Sequence, residues 1–365
     1  ANKKDLEAFT RDDQALYDRL VVNDAKVDGM IKAISEVKNQ EDPVNKEISS
    51  LTLDSGLEIN NRTAPFGTIM IIYESRPAAV LAFKANNKIL LKGGKEAYHS
   101  NVILVDCWHQ ALKENNLTKD WIKMLQMNRE QTQEFLRNPD EQLDLIVPRG
   151  GERLIQFVKE HAKCEVLISG RGNNFLYVHK DADWKKTIEV IINAKTDKIS
   201  GCNALDKVLV DKNLPNYEEK LQELKKVLTA SDVEVIVDDE VKKVLTDSEV
   251  ILDKKVWFEE FLALKIAIGA VDSLDDAIEK INHYSGGHSS AILTEDKEAA
   301  KKFMEHIDSA AVYHNASTRF TDGGQMGVGA ELAISTDKLH HRGPLGLKQL
   351  VTNKYYVFGD GHVRV

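Results

Sequence analysis

Lys195-Thr196-Asp197-Lys198-Ile199-Ser200-Gly201-Cys202-Asn203-Ala204 is a polar, glycine-containing loop between a helical pattern over Trp184 to Ala194 and the strand-like run Lys207-Val208-Leu209-Val210. Helix, loop and apolar strand in that order make one repeat of a strand-helix-strand architecture, so this stretch decides the fold class. The loop also carries a thiol. It places Cys202 outside a packed core, and Lys195 and Lys198 in the same segment favour the thiolate, the nucleophilic form. A small buried core residue is the equally weighted alternative.

The same alternation extends outward on both sides. Runs of strand length occur at Gly67 to Tyr73, Lys88 to Leu91, Leu143 to Val147, Cys164 to Ile168, Phe175 to Val178, Val233 to Val237, Leu262 to Ile268 and Ser290 to Leu293. Between them, Asn101 to Asn115, Glu152 to His161, Trp184 to Ala194, Tyr217 to Thr229, Ser273 to His283 and Asp296 to His306 carry apolar residues three and four apart, the period of a half-buried helix. One round precedes Cys202 and one follows it, which predicts two α/β domains with the thiol near their junction. Two stretches break the pattern. Glu47 to Ala64 holds Asp54-Ser55-Gly56 between alternating segments, and Val351 to Phe358 is a β-rich tail. Both read as β-ribbons whose open edges serve subunit pairing, with a small edge hairpin inside one subunit as the alternative.

Composition narrows the function class. The chain has 365 residues, a formal charge of −9 and three cysteines, Cys107, Cys164 and Cys202. Three cysteines make no disulfide framework, so a reducing, cytoplasmic setting is expected. Intermixed charges without a basic stripe argue against nucleic acid. The best apolar run, Phe261 to Val271, is interrupted by Lys265 and falls short of the roughly 20 residues of a membrane helix, so no membrane role is expected. Ala1-Asn2-Lys3 reads as a chain already under way.

Several segments suit anions. Lys92-Gly93-Gly94-Lys95 follows a strand, where glycines admit phosphate close to the backbone and lysine adds charge, although the spacing is not that of a Walker loop. Pro148-Arg149-Gly150-Gly151 joins a strand to a helix whose amino end can receive phosphate. Gly170-Arg171-Gly172 is a weaker signal. The densest polar stretch, His314-Asn315-Ala316-Ser317-Thr318-Arg319-Phe320-Thr321-Asp322-Gly323-Gly324-Gln325, either meets a ligand through Ser317, Thr318 and Arg319 or braces itself internally. Arg342, in His340-His341-Arg342-Gly343-Pro344, is a second anion candidate. Adjacent histidines diverge and no third ligand stands at a usable spacing, so no metal is expected.

Taken in order, Tyr73-Glu74-Ser75-Arg76-Pro77, Leu90-Leu91-Lys92-Gly93-Gly94, Val147-Pro148-Arg149-Gly150-Gly151, Ile191-Ile192-Asn193-Ala194-Lys195-Thr196, Cys202-Asn203-Ala204, His314 to Gly324 and His341-Arg342-Gly343-Pro344 closely resemble the gamma-glutamyl phosphate reductases of the aldehyde dehydrogenase superfamily. The resemblance spans essentially the whole chain. It implies an α/β, aldehyde dehydrogenase-like fold with two Rossmann-like domains and a β-ribbon oligomerisation element. The implied NADP-binding domain is 1–46 and 65–197 with 326–350 returning to it, the catalytic domain 198–325, and the ribbon 47–64 with 351–365.

It also implies NADPH-dependent reduction of L-glutamyl 5-phosphate to L-glutamate 5-semialdehyde, in proline biosynthesis. Cys202 would be acylated, and the thioester then reduced. The Cys202 backbone N–H and a group from Glu74-Ser75-Arg76, with Ser75 as the catalytic candidate, would face the oxyanion, each donor being worth about 3 kcal/mol. For substrate the candidates are Arg76, Asn203, Ser317, Arg319 and Arg342. For the cofactor they are Lys92, Gly93, Gly94, Arg149, Gly150, Gly151 and Glu260, with Lys92 at the adenosine ribose or its 2′-phosphate and Glu260 at the nicotinamide ribose. Partners implied are a small-molecule substrate, a second copy of the chain and a glutamate kinase. Another NAD(P)-dependent aldehyde dehydrogenase and a catalytically silent homologue are the alternatives.

Two departures stand out. Many aldehyde dehydrogenases carry a water-activating glutamate where this chain has Ile168, which favours phosphate over water as the thioester's partner. After Arg76-Pro77 the family pattern runs about five residues further before the alanine-rich helix starting at Ala78, a region where loops are commonly mobile. A segment missing between Pro77 and Ala78 is therefore expected.

Overall fold

The computed structural model describes residues 1–10, 14–73, 79–338 and 341–364. They form two compact units, Ala1–Ile168 with Gly327–Ala333 and Leu345–Val365, and Ser169–Met326 with Ile334–Pro344.

The first unit begins with helices Asn2–Glu7, Gln14–Leu20 and Asp24–Asn39, which the sequence reading did not assign. Strands β1 (Glu47–Thr52) and β2 (Glu58–Pro65) pair antiparallel, and Val351–Phe358 pairs along the other edge of β2. Gly56 turns the hairpin at φ +88°, a conformation that glycine adopts without steric cost. Strands β3 (Thr68–Tyr73), β4 (Lys88–Gly93), β5 (Ile122–Met124), β6 (Leu145–Arg149) and β7 (Glu165–Val166) form a parallel sheet in the order β5-β4-β3-β6-β7. β3 is buried throughout because both sheet faces are covered: Ile69 and Ile71 pack with Leu81, Ala82 and Leu347, while Met70 and Ile72 pack with Phe135, Leu136 and Val158. Strand order reverses between β3 and β6, the switch point where open α/β sheets take ligands.

The second unit holds β8 (Asn174–Val178), β9 (Leu205–Asp211), β10 (Glu234–Val237), β11 (Glu249–Val250), β12 (Lys265–Val271), β13 (Ser289–Leu293) and β14 (Ala311–His314) in the parallel order β11-β10-β12-β9-β8-β13-β14. Helices Trp184–Thr196 and Tyr217–Ala230 cover one face, and Leu274–Tyr284 and Lys297–His306 the other. Short strands β15 (Ile334–Ser335) and β16 (Gly343–Pro344) pair antiparallel.

The expected domain limits need correction. β8 pairs with β9 and β13, so the boundary falls at 168/169 rather than 197/198, and 334–344 joins the second unit instead of returning to the first. The run from Leu262 becomes a strand only at Lys265, because Leu262 itself takes a left-handed φ of +49°. Cys164 to Ile168 shrinks to the two residues of β7. A helix does follow Pro77, over Ala79–Lys84, but the expected Pro77–Ala78 break lies outside the described residues. No helix among the described residues is long and apolar enough to cross a membrane.

Candidate active site

The thiol lies at the amino ends of β8, β9 and β13. Cys202 is exposed and in no disulfide, which decides between the two readings of it. Asn174, fully buried at the start of β8, donates its Nδ2 to the carbonyls of Gly172 (3.0 Å), Cys202 (2.8 Å) and Ala204 (2.6 Å), and its Oδ1 accepts from the Ser289 N–H at 3.0 Å. One side chain thus ties three segments together around Cys202. Gly172 is required there: a Cβ would lie 2.1 Å from the Cys202 carbonyl oxygen and 2.5 Å from Glu260 Oε1. The cysteine loop and Glu260 therefore converge on one bare backbone position.

Asn203 holds the polar loop rather than presenting itself. Its Nδ2 donates to the carbonyls of Arg319 (3.1 Å) and Thr321 (2.9 Å), and its own carbonyl accepts from Thr318 Oγ1 at 2.8 Å. Ser317 is buried and its Oγ accepts from the Arg319 N–H at 3.3 Å, while Asp322 Oδ1 accepts from the N–H of Gly324 at 2.9 Å. Beneath, Ser289 Oγ, Thr321 Oγ1 and Tyr313 OH form a hydroxyl row at 2.7 Å spacings that starts from His288 Nδ1. Of the two readings of 314–325, internal bracing accounts for most groups. What it leaves on the surface is a cleft lined by Asn193, Asp197, Arg319, Phe320, Asp322 and Gln325. There Arg319, its side chain 17% exposed, donates Nε to Asp197 Oδ2 at 3.0 Å. Arg342 is placed apart, with Nη1 2.6 Å from Asp308 Oδ1 and Nη2 3.0 Å from the Asp308 carbonyl.

Lys195 needs correction. It does not stand beside the thiol as a solvated cation; it is fully buried and paired with Asp206 at 2.9 Å.

In the first unit, the β-sheet register sets Gly93, Tyr73 and Arg149 side by side at the carboxyl edge. A Cβ on Gly93 would lie 2.4 Å from Asn101 Nδ2 and 3.2 Å from Tyr73 OH, two buried polar atoms with no hydrogen-bond partner. Lys92 Nζ donates to the Gly93 carbonyl at 2.9 Å, and burial holds its ammonium below the usual lysine range. Gly151 caps helix Glu152–His161 without a side-chain acceptor and has open space around its Cα. Ser75 and Arg76 lie outside the described residues, as does His340.

The aldehyde dehydrogenase family profile matches residues 25–243 and 244–331. The chain is 42% identical over its whole length to a gamma-glutamyl phosphate reductase 2 of Bacillus licheniformis, covering 87% of that protein. This chain belongs to the aldehyde dehydrogenase family. Within it, the crystal structure of gamma-glutamyl phosphate reductase from Thermotoga maritima aligns at a TM-score of 0.92 and 42% identity, over 100% of this chain and 89% of that one. A glyceraldehyde-3-phosphate dehydrogenase from Methanocaldococcus jannaschii, solved with NADP, shares the fold alone, at a TM-score of 0.66 and 17% identity over 95% of this chain.

As an aldehyde dehydrogenase-family oxidoreductase, the chain is suited to a nicotinamide dinucleotide and a small-molecule substrate. Its residues fit the dinucleotide: the carboxyl edge at the switch point offers a glycine that a side chain would fill, two unsatisfied buried polar atoms and an open helix amino end. Sequence reasoning gave no role to Asn174, Asp197, Asp206, Lys207 and Asp322, and weighed Gly172 only as a weak anion signal. Asp206 and Lys207 gave a signal, being charges inside a run otherwise apolar enough for a central strand. Asn174 gave none, since only the fold reveals which carbonyls an asparagine faces.

Proposed function

We propose that the chain catalyses NADPH-dependent reduction of L-glutamyl 5-phosphate to L-glutamate 5-semialdehyde with release of phosphate, through a thioester on Cys202. The observation that carries the reading is an exposed thiol whose loop is immobilised by Asn174, in a chain so close throughout to relatives named for this activity.

A carboxylate resists reduction, whereas an acyl phosphate offers an electrophilic carbon and a good leaving group. Cys202 Sγ attacks that carbon, the bond to the phosphate oxygen breaks, and inorganic phosphate leaves. The dinucleotide, when bound, supplies the two electrons that reduce the thioester. The carbon–sulfur bond then breaks, the aldehyde departs and the electron pair returns to sulfur. Ile168 carries no ionisable group to activate water, which supports phosphate as the leaving and entering partner. The cleft beside the cysteine loop carries both signs, Arg319 with Asp197 and Asp322, as the α-carboxylate and α-ammonium of a glutamyl group require. Lys92 would meet the adenosine ribose or its 2′-phosphate, the Gly151 amino end a phosphate, and Glu260 the nicotinamide ribose.

Self-association is assigned to the ribbon. Ile48, Leu51, Val357 and Phe358 are each more than half exposed on it, and a second copy would cover them. The alignment with the Bacillus relative runs over 370 positions against 365 residues here, so that relative carries at least five residues that this chain lacks.

The test is NADP reduction by glutamate 5-semialdehyde with and without phosphate. Saturable dependence on phosphate is expected. Equal rates without it, with glutamate as product, would establish a hydrolytic aldehyde dehydrogenase instead.

A further inference from the structure

β9 starts three residues after Cys202, at the centre of a sheet, where apolar side chains are expected. Its second and third residues are nevertheless Asp206 and Lys207, 2% and 0% exposed, and Lys195 from the preceding helix is equally buried. Two lysines and an aspartate in a closed volume cost several kcal/mol of desolvation each in their charged forms unless paired and hydrogen-bonded, and apolar replacements of such groups are often no less stable. Stability alone does not account for them.

Their hydrogen bonds point to one segment. Asp206 Oδ1 pairs with Lys195, and Asp206 Oδ2 accepts from the Phe261 N–H at 2.9 Å. Lys207 Nζ donates to the Glu259 carbonyl at 2.8 Å and sits 3.6 Å over the Phe261 ring. The residues on either side of Glu260 are thus both fastened from the strand that follows the nucleophile. Directly after them, Leu262 holds φ +49°, a conformation costing a leucine about 1 kcal/mol, so an unfastened segment would relax.

We propose that Asp206 and Lys207 are positioning residues for Glu260, holding its carboxylate beside Gly172 in the orientation that receives the nicotinamide ribose. The inference rests on the ribose role proposed above for Glu260. It links the two halves of the chemistry mechanically, since one strand both follows the acylated sulfur and sets the carboxylate that orients the reductant.

The test is equilibrium binding of NADPH, by calorimetry on the full chain, in a cycle of Lys207→Met, Glu260→Gln and both together. Each single change is expected to raise Kd by about 5- to 10-fold, with the double variant no weaker than Glu260→Gln alone, because residues acting through one group are not additive. Alkylation of Cys202 should keep its rate within about twofold, separating loss of positioning from general damage. Unchanged affinity in Glu260→Gln would remove the ribose role and this inference with it. A weakened Glu260→Gln beside a normal Lys207→Met, or penalties that multiply in the double variant, would overturn the clamp while leaving the ribose role standing. Should Lys207→Met fail to fold, Phe261→Leu keeps an apolar side chain at this half-buried position while removing the ring beneath Lys207 Nζ. In the same cycle it is expected to cost about 2- to 3-fold without additivity; no effect, or an additive one, would overturn the proposal.

Discussion

The carboxyl edge of the five-stranded sheet and the amino edge of the seven-stranded sheet differ in where their side-chain donors go. At the first, Tyr73 OH and Asn101 Nδ2 lack partners around a bare Gly93, and Gly151 leaves a helix end open. At the second, Asn174, Asn203 and Lys207 spend their donors on backbone carbonyls, and Arg319 is tied to Asp197. An edge with unsatisfied groups is prepared for a ligand that comes and goes. The second edge turns most of its donors inward, leaving Asn203 Oδ1 and His288 Nε2 unpartnered, and under the proposed chemistry that bracing sets the reacting atom in place before substrate arrives.

The sharpest break of this contrast is Cys202→Ala. Reductase activity should fall by about three or more powers of ten while NADPH still binds with parental Kd, because covalent catalysis is lost and the ligand edge is untouched. Steady-state rates beside calorimetry measure both, and an alanine variant that turned over normally would dismiss the sulfur. Asn174→Ala comes next. Removing the donor shared by three carbonyls should lower kcat by about 10- to 100-fold, with the melting temperature reduced and NADPH affinity kept. A kcat within twofold of the parent would mean that the loop holds without it.

Much of this architecture was legible in the sequence. Strands such as Thr68–Tyr73 and Ser289–Leu293 are continuous apolar runs because both faces of a parallel sheet are covered, so they stand out. Helix Asp24–Asn39 carried the helical signal too, with Val27, Met30, Ile31 and Ile34 three and four apart, yet was passed over; in the fold that stripe is exposed and Val37 is the helix's buried residue. The boundary was misplaced for another reason: Phe175 to Val178 reads as a strand, but nothing local says which sheet it joins. Cys202 and the glycine turns were candidates from local motifs and Glu260 from the family resemblance, whereas Asn174 and the cleft carboxylates are brought to the site by contacts distant in sequence.

The ligand edge is sharpened by Gly93→Ala. Its Cβ would have to displace the buried Asn101 amide from 2.4 Å and crowd the Tyr73 ring, so NADPH affinity should weaken by about tenfold while the alkylation rate of Cys202 stays parental. Titration calorimetry with a parallel thiol-labelling assay reads both arms. Equal affinity in the alanine variant would show that the dinucleotide does not use this edge.

The smallest effect separates the edges by pH. His288 is fully buried at the head of β13, with Nδ1 on Ser289 and Nε2 unpartnered, and burial pushes its pKa from 6.5 down to about 4. The folded chain therefore keeps it neutral at pH values where the unfolded chain binds a proton. Its contribution is present above about pH 6.5 and is lost as pH falls toward 4, amounting to about 3 kcal/mol across that window. His288→Gln lacks that titration, so the difference in urea midpoint between parent and variant should shrink steadily from pH 7 to pH 4. Because the hydroxyl row from Ser289 to Thr321 and Tyr313 underlies the cysteine loop, amides of β13 should lose exchange protection in acid before those of β3 do. A midpoint difference that stays constant with pH would mean that His288 is protonated inside the fold, and the acid sensitivity of the second unit would then have to come from another group.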